Sequence, residues 1–169
     1  GQYFLNYELG SLSGYKYTDL NGDGVLDPGE PGFEGVTIQL KQGDSVMDTT
    51  VTDSDGKFVF IDVEPGTYDV EEVLDGGILT KYNLIISGVE VVSGEETVLD
   101  EELGQYFLNY ELGSLSGYKY HDLNANGIWD GSEPGFSGVT IHLKQDDTIV
   151  DTSVTGADGK FLFENVEPG

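Results

Sequence analysis

Residues 12–42 read LSGYKYTDLNGDGVLDPGEPGFEGVTIQLKQ. Both ends of this stretch carry a strand pattern. Residues 12–19 are rich in Tyr and Thr, and Val36, Ile38 and Leu40 alternate with Thr37, Gln39 and Lys41, which puts one apolar face on a pleated ribbon. The middle, residues 19–30, has Asp19, Asn21 and Asp23 at positions 1, 3 and 5, Gly24 at 6, Val25 at 7, Asp27 at 9 and Glu30 at 12. That order is a twelve-residue calcium loop. Ca²⁺ is a hard ion that takes six to eight oxygens, the glycine lets the chain turn sharply around it, the residue at position 7 offers its carbonyl, and the last glutamate can close the shell with both oxygens. Pro31 and Gly32 follow at once and would stop an exiting helix. The unit is therefore strand, ion loop, strand, and an opening helix pair of the sensor kind is excluded.

The unit occurs twice. Residues 1–17 recur identically at 104–120, and the offset of 103 holds to the end of the chain with 47 of 66 paired positions identical. A period this long fits a whole domain rather than a solenoid unit. The second loop is Asp122, Asn124, Asn126, Gly127, Ile128, Asp130 and Glu133, with ligand types kept while Leu26 becomes Trp129 and Pro28 becomes Gly131. Asn126 in place of Asp23 removes one carboxylate and should weaken the second site. A solvated acidic turn would account for one match, but less well for two.

Outward from the loop, strand patterns continue at 45–52, 57–63, 67–74, 83–92 and 96–110, with hairpin signals at Gln42-Gly43-Asp44 and Ser54-Asp55-Gly56. No stretch offers a helical face. The spacing predicts an all-β, tandem Ig-like β-sandwich with the calcium loop between its first two strands. Residues 105–110 are read as the last strand of the first copy. By the same logic residues 2–7 are the last strand of a preceding module. The domains expected are thus residues 1–10 (strand and linker), 11–113 (a complete repeat) and 114–169 (the first four strands of another), as in a window from a longer array.

Composition narrows the class. The chain has 169 residues, 32 Asp and Glu against 7 basic residues, all Lys, and a net charge of −25. Nucleic acid and anionic lipid are poor partners for such a surface, and cations are natural ones. A solvated acidic surface would explain the charge but not its fixed spacing. There is no Cys, so disulfides, thiol catalysis and Cys-based metal sites are excluded. No apolar run approaches the roughly 18 residues of a membrane span. His121 and His142 replace Thr18 and Gln39 of the first copy, so neither serves a shared function, and no Ser/His or glycine-loop constellation points to an enzyme. A second calcium site could use Asp53, Asp55 and Asp62. A hairpin turn capped by Asp explains the first two better, and the second copy keeps only Asp158 of the three. Trp129 reads either as a packed loop residue or as an exposed aromatic of a carbohydrate-binding module.

The stretches SGYKYTDLNGDGVLDPGEPGFEGVTIQL (13–40) and DSDGKFVFIDVEPGTYDVEE (53–72) resemble the SdrD B-like domain of serine–aspartate repeat surface proteins, itself similar to the collagen-adhesin B-type, prealbumin-like β-sandwich, which is the fold the resemblance implies. The resemblance covers the whole repeat. It implies Ca²⁺ on Asp19, Asn21, Asp23, Asp27 and Glu30 and on Asp122, Asn124, Asn126, Asp130 and Glu133. It implies a prokaryotic, extracellular or cell-surface stalk, filament or sheath block whose partners are neighbouring repeats, joined in one chain or by strand addition in a polymer. An adhesin domain for a host or cell-wall ligand and a carbohydrate-binding accessory module are the alternatives. Some collagen-adhesin B-type domains also carry a Lys–Asn isopeptide bond promoted by a Glu. Lys16, Asn109 and Glu71 or Glu72 are the matching types, with Lys119 the second copy's lysine, and a surface Lys with an ordinary strand Asn is the alternative.

Overall fold

The structure, a computed structural model, describes residues 4–74, 78–80 and 82–169. It divides into two units, the first running to Glu111 and the second spanning Leu112–Glu167.

The first unit is a β-sandwich. Its strands are β1 (Gly10–Thr18), β2 (Thr37–Gln42), β3 (Ser45–Val51), β4 (Lys57–Val63), β5 (Gly66–Val73), β6 (Ile78–Leu79), β7 (Ile85–Val91), β8 (Glu96–Val98) and β9 (Phe107–Glu111). One sheet runs β3-β2-β5-β7, antiparallel throughout. In the other, β1 is central. It pairs antiparallel with β4 on one side; on its other side it pairs in parallel first with β8 over Ser11–Ser13 and then with β9 over Lys16–Thr18. Strand β6 closes the far edge of β9.

The period-2 alternation places the core between the sheets. Ile38 and Leu40 of β2, Tyr68 and Val70 of β5 and Val89 and Val91 of β7 face Leu12, Phe58, Phe60 and Phe107, all buried. The loop between β1 and β2 returns to β1 through a close backbone approach. Lys16 N–H donates to Gly56 C=O, and Phe33 N–H donates to Lys16 C=O, each at 2.9 Å. A Cβ on Gly56, whose φ is +76°, would lie 2.1 Å from the Lys16 carbonyl oxygen. Only glycine fits there.

Two expected elements differ. The run 96–110 is not one strand: Asp100 caps a single 3₁₀ turn at Glu101–Leu103, Gly104 leaves it in the left-handed conformation, and β8 and β9 lie on either side. Residues 4–9 form no strand, and residues 2–3 of the expected 2–7 strand lie outside the described residues; Phe4 and Leu5 are exposed.

The second unit contains β10 (Gly113–Tyr118), β11 (Thr140–Gln145), β12 (Thr148–Val154) and β13 (Lys160–Val166), paired as β10–β13 and β11–β12. The bulge after Leu143 falls 103 residues beyond the one after Leu40. Ala125, Asp146 and Asn165 keep the positive φ of Gly22, Gly43 and Asp62.

Candidate functional site

In the 19–30 loop the acidic side chains first hold the loop itself. Asp19, buried at the end of β1, accepts from Gly22 N–H (2.6 Å) and Asp23 N–H (3.2 Å) on Oδ1, and from Gly24 N–H (2.9 Å) on Oδ2. Glu30 spans the loop, with Oε1 on Leu20 N–H (2.8 Å) and Oε2 on Asp27 N–H (3.1 Å). The Asn21 amide nitrogen donates to Asp23 Oδ2 at 3.1 Å and Asp27 Oδ2 at 2.9 Å, drawing two carboxylates together as a cation would. The 122–133 loop repeats this scheme. Asp122 takes Asn126 and Gly127 N–H, Glu133 takes Leu123 and Asp130 N–H, and both Asn124 and Asn126 amides donate to Asp130 Oδ2. Among the described residues no three carboxylates or histidines converge on their own at metal-ligating distance. The donor set nevertheless fits calcium: every side chain at positions 1, 3, 5, 9 and 12 brings oxygen, and Val25 and Ile128 supply the main chain at position 7.

The structure separates the second set of acids. Asp53 caps the turn before β4, its Oδ1 accepting from Asp55 and Lys57 N–H at 2.9 Å each. Asp62 lies toward the other end of β4 with φ +55°, beside the irregularity in the β1–β4 register. The three therefore do not form one site. Asp62 is a bulge residue, and Asp or Asn (Asn165 in the second copy) suits a left-handed position because its short polar side chain tolerates it.

Deeper lies a cluster that alternation predicts only when each strand is read for its inward face. Lys16 is in phase with Leu12 and Gly14, Glu72 with Tyr68 and Val70, and Asn109 with Phe107. All three are buried, Lys16 and Asn109 with no exposed surface. Lys16 Nζ lies 3.9 Å from Glu72 Oε1, and Asn109 Nδ2 donates to the same oxygen. Lys16 Nζ also donates to Tyr17 C=O at 2.9 Å and stands 4.9 Å from the Phe33 ring centre. Glu72 Oε2 and Asn109 Oδ1 have no hydrogen-bond partner among the described residues. Two unsatisfied buried oxygens side by side are costly, about 1–3 kcal/mol each, in a core that otherwise pairs its polar atoms. Burial pushes the Lys16 ammonium down to about 7, against the opposing charges of Glu72 and Asp19. Burial likewise raises the Glu72 carboxyl, against Lys16 and the Asn109 amide. Glu71, one residue earlier, faces the other way and pairs with Lys41 at 2.5 Å. Glu72 is thus the carboxylate of the cluster, and neither a surface lysine nor an ordinary strand asparagine describes its partners.

In the second unit Trp129 is half exposed and stacks on Tyr120 with ring centres 5.0 Å apart, so one of its faces is already covered. His121 stacks on Phe136, and His142 Nδ1 is hydrogen-bonded to Thr152.

Comparison with known proteins shows the family. A family model described as the SdrD B-like domain matches residues 10–91 and 113–169. A serine-aspartate repeat-containing protein F of Staphylococcus epidermidis is 34% identical over 94% of the chain and 10% of its own length. A serine-aspartate repeat-containing protein D of Staphylococcus aureus is 31% identical over 100% of the chain and 13% of its own length. The chain thus spans about a tenth of the curated relatives it matches. Among solved structures, it is similar to the Bacillus anthracis TIE protein (TM-score 0.47, 16% identity, 96% of this chain and 29% of that one). It is also similar to the major pilin SpaD of Corynebacterium diphtheriae (TM-score 0.44, 20% identity, 69% and 36%).

Proposed function

This chain belongs to the SdrD B-like domain family, and we propose that it is a load-bearing spacer of an extracellular surface protein, stapled in two ways. The first staple is an amide bond between Lys16 and Asn109. The second is a calcium ion in each twelve-residue loop. Its partners are then neighbouring repeats of the same protein, and its place is the cell surface or a filament outside the cell.

The observation that carries this reading is the buried convergence of Lys16 and Asn109 on Glu72. Strand β1 opens the sandwich, β9 closes it, and they run parallel side by side. Tension between the entry to β1 and the exit from β9 would shear that pair. A bond from residue 16 to residue 109 carries the load directly and leaves residues 17–108 outside its path. The chemistry needs a neutral amine, an electrophilic carbonyl and a proton carrier in a dry site, and the cluster supplies all three. The Lys16 lone pair forms a bond to Asn109 Cγ, the Cγ–Nδ2 bond breaks, and ammonia leaves. Glu72, as the carboxylic acid, gives its proton to the departing nitrogen and takes one back from the attacking nitrogen.

Calcium would be held by the loop oxygens of Asp19, Asn21, Asp23, Val25, Asp27 and Glu30 and by those of their second-copy counterparts. It would supply fixed positive charge to acids that otherwise repel. A secreted module without cysteine has no disulfide to do this work.

Intact mass tests the first staple. The folded chain should weigh one ammonia less than its sequence, and peptide mapping should recover a branched fragment joining Lys16 to Asn109. An unshifted mass removes the bond.

A further inference from the structure

We infer that the 19–30 loop is the positioning device for the amide partner of this cross-link, with Asp19 as the positioning residue; the inference rests on the Lys16–Asn109 reading above. The β1–β9 ladder ends with Thr18 opposite Asn109. The next residue, Asp19, donates its N–H to the Asn109 carbonyl oxygen at 2.6 Å. The Asp19 carboxylate is in turn fixed by the N–H groups of Gly22, Asp23 and Gly24. The main chain that holds Asn109 is therefore itself held by the first side chain of the loop.

Just before β9, Tyr106 is buried, stacks on Tyr82 with ring centres 4.7 Å apart and meets the Tyr17 ring edge-on at 6.3 Å. On the lysine side, Tyr17 gives its carbonyl to Lys16 Nζ and its hydroxyl to Glu101. The end of β1 thus places the nucleophile, and the first residue of the loop places the carbonyl it attacks. Core packing of Phe107 and Leu108 would bring β9 into the sandwich without this grip. The last ångström between Lys16 Nζ and Asn109 Cγ depends on it, and a misplacement of about 1 Å costs roughly a hundredfold in rate.

The loop therefore acts on the bond-forming step more than on the fold. The test separates the two. The chain is refolded from denaturant in millimolar Ca²⁺, sheet formation is followed by circular dichroism, and ammonia loss by intact mass, for wild type, Asp19→Ala and Glu30→Gln. Asp19→Ala removes the carboxylate that fixes the grip on Asn109. Glu30→Gln keeps that carboxylate and loosens the loop at its other end. In both variants ammonia loss should lag sheet formation at least tenfold further than in wild type. Ammonia loss that keeps pace with sheet formation in either variant overturns the positioning role. A wild-type chain that never loses ammonia overturns the cross-link itself, a separate and recognisable failure.

Discussion

At the scale of single residues, the chemistry depends on one proton shared by Lys16 and Glu72. With that proton the pair can be an ammonium with a carboxylate or a neutral amine with a carboxylic acid, and the second form reacts. Burial moves the lysine down to about 7 and the glutamate up, so the two forms approach each other in energy. As pH falls well below that value both groups hold protons and the amine has no lone pair. As it rises well above, both have lost them and no acid can protonate the leaving nitrogen. The rate of ammonia loss on refolding should therefore be bell-shaped, with its maximum near neutrality; a rate flat from pH 5 to about 9 would be inconsistent with the shared proton. Glu72→Gln and Asn109→Ala should both fold and keep the full mass, whereas Glu71→Gln, which loses only the half-exposed pair with Lys41, should still lose ammonia. The alternation in the sequence already put Lys16, Glu72 and Asn109 in phase with core residues. What it did not give was their meeting, because a lysine among apolar neighbours is ordinarily assumed to reach solvent.

At the scale of elements, the turns carry the specificity. Gly56→Ala would press a methyl group into the Lys16 carbonyl oxygen and force a left-handed alanine, and should cost about 2 kcal/mol or more in urea unfolding. At the β4 bulge, Asp62→Asn should change stability by less than about 0.5 kcal/mol and leave calcium binding untouched, while Asp62→Val should cost about 1–2 kcal/mol through its backbone conformation. A change in calcium stoichiometry on Asp62→Asn would restore the acid to a metal role. In the loop, the Glu30 carboxylate reaches the main chain at two points, whereas among the described residues the Asp27 carboxylate accepts only from the Asn21 amide. Glu30→Gln should accordingly cost more calcium affinity than Asp27→Asn, as titration calorimetry would measure. The position of the loop between two strands was legible, since Pro31 and Gly32 forbid a helix. The break of 96–110 at Asp100–Gly104 was not, because a polar 3₁₀ turn and a polar edge strand share a composition.

At the scale of the molecule, calcium and the cross-link act on different quantities. An ion that binds only the folded state stabilises it by mass action, about 2.7 kcal/mol when its concentration is a hundredfold its Kd. Millimolar Ca²⁺ should raise the melting temperature by several degrees and EDTA should reverse the shift, whereas coincident melts would tell against the structural ion. The amide bond acts on extensibility. Under force the first unit should withhold residues 17–108, roughly 300 Å of chain at full extension, and Glu72→Gln should release that length. The sequence by itself determined the duplication, the all-β layers and the order of oxygen donors in each loop, because these follow from periodicity and spacing along the chain. Only the tertiary structure decided that residues 16, 72 and 109 share one dry space, that Asp62 stands apart from Asp53, and that the loop grips β9. Those contacts join strands distant in sequence across two sheets, and no local pattern encodes which inward-facing residues will meet.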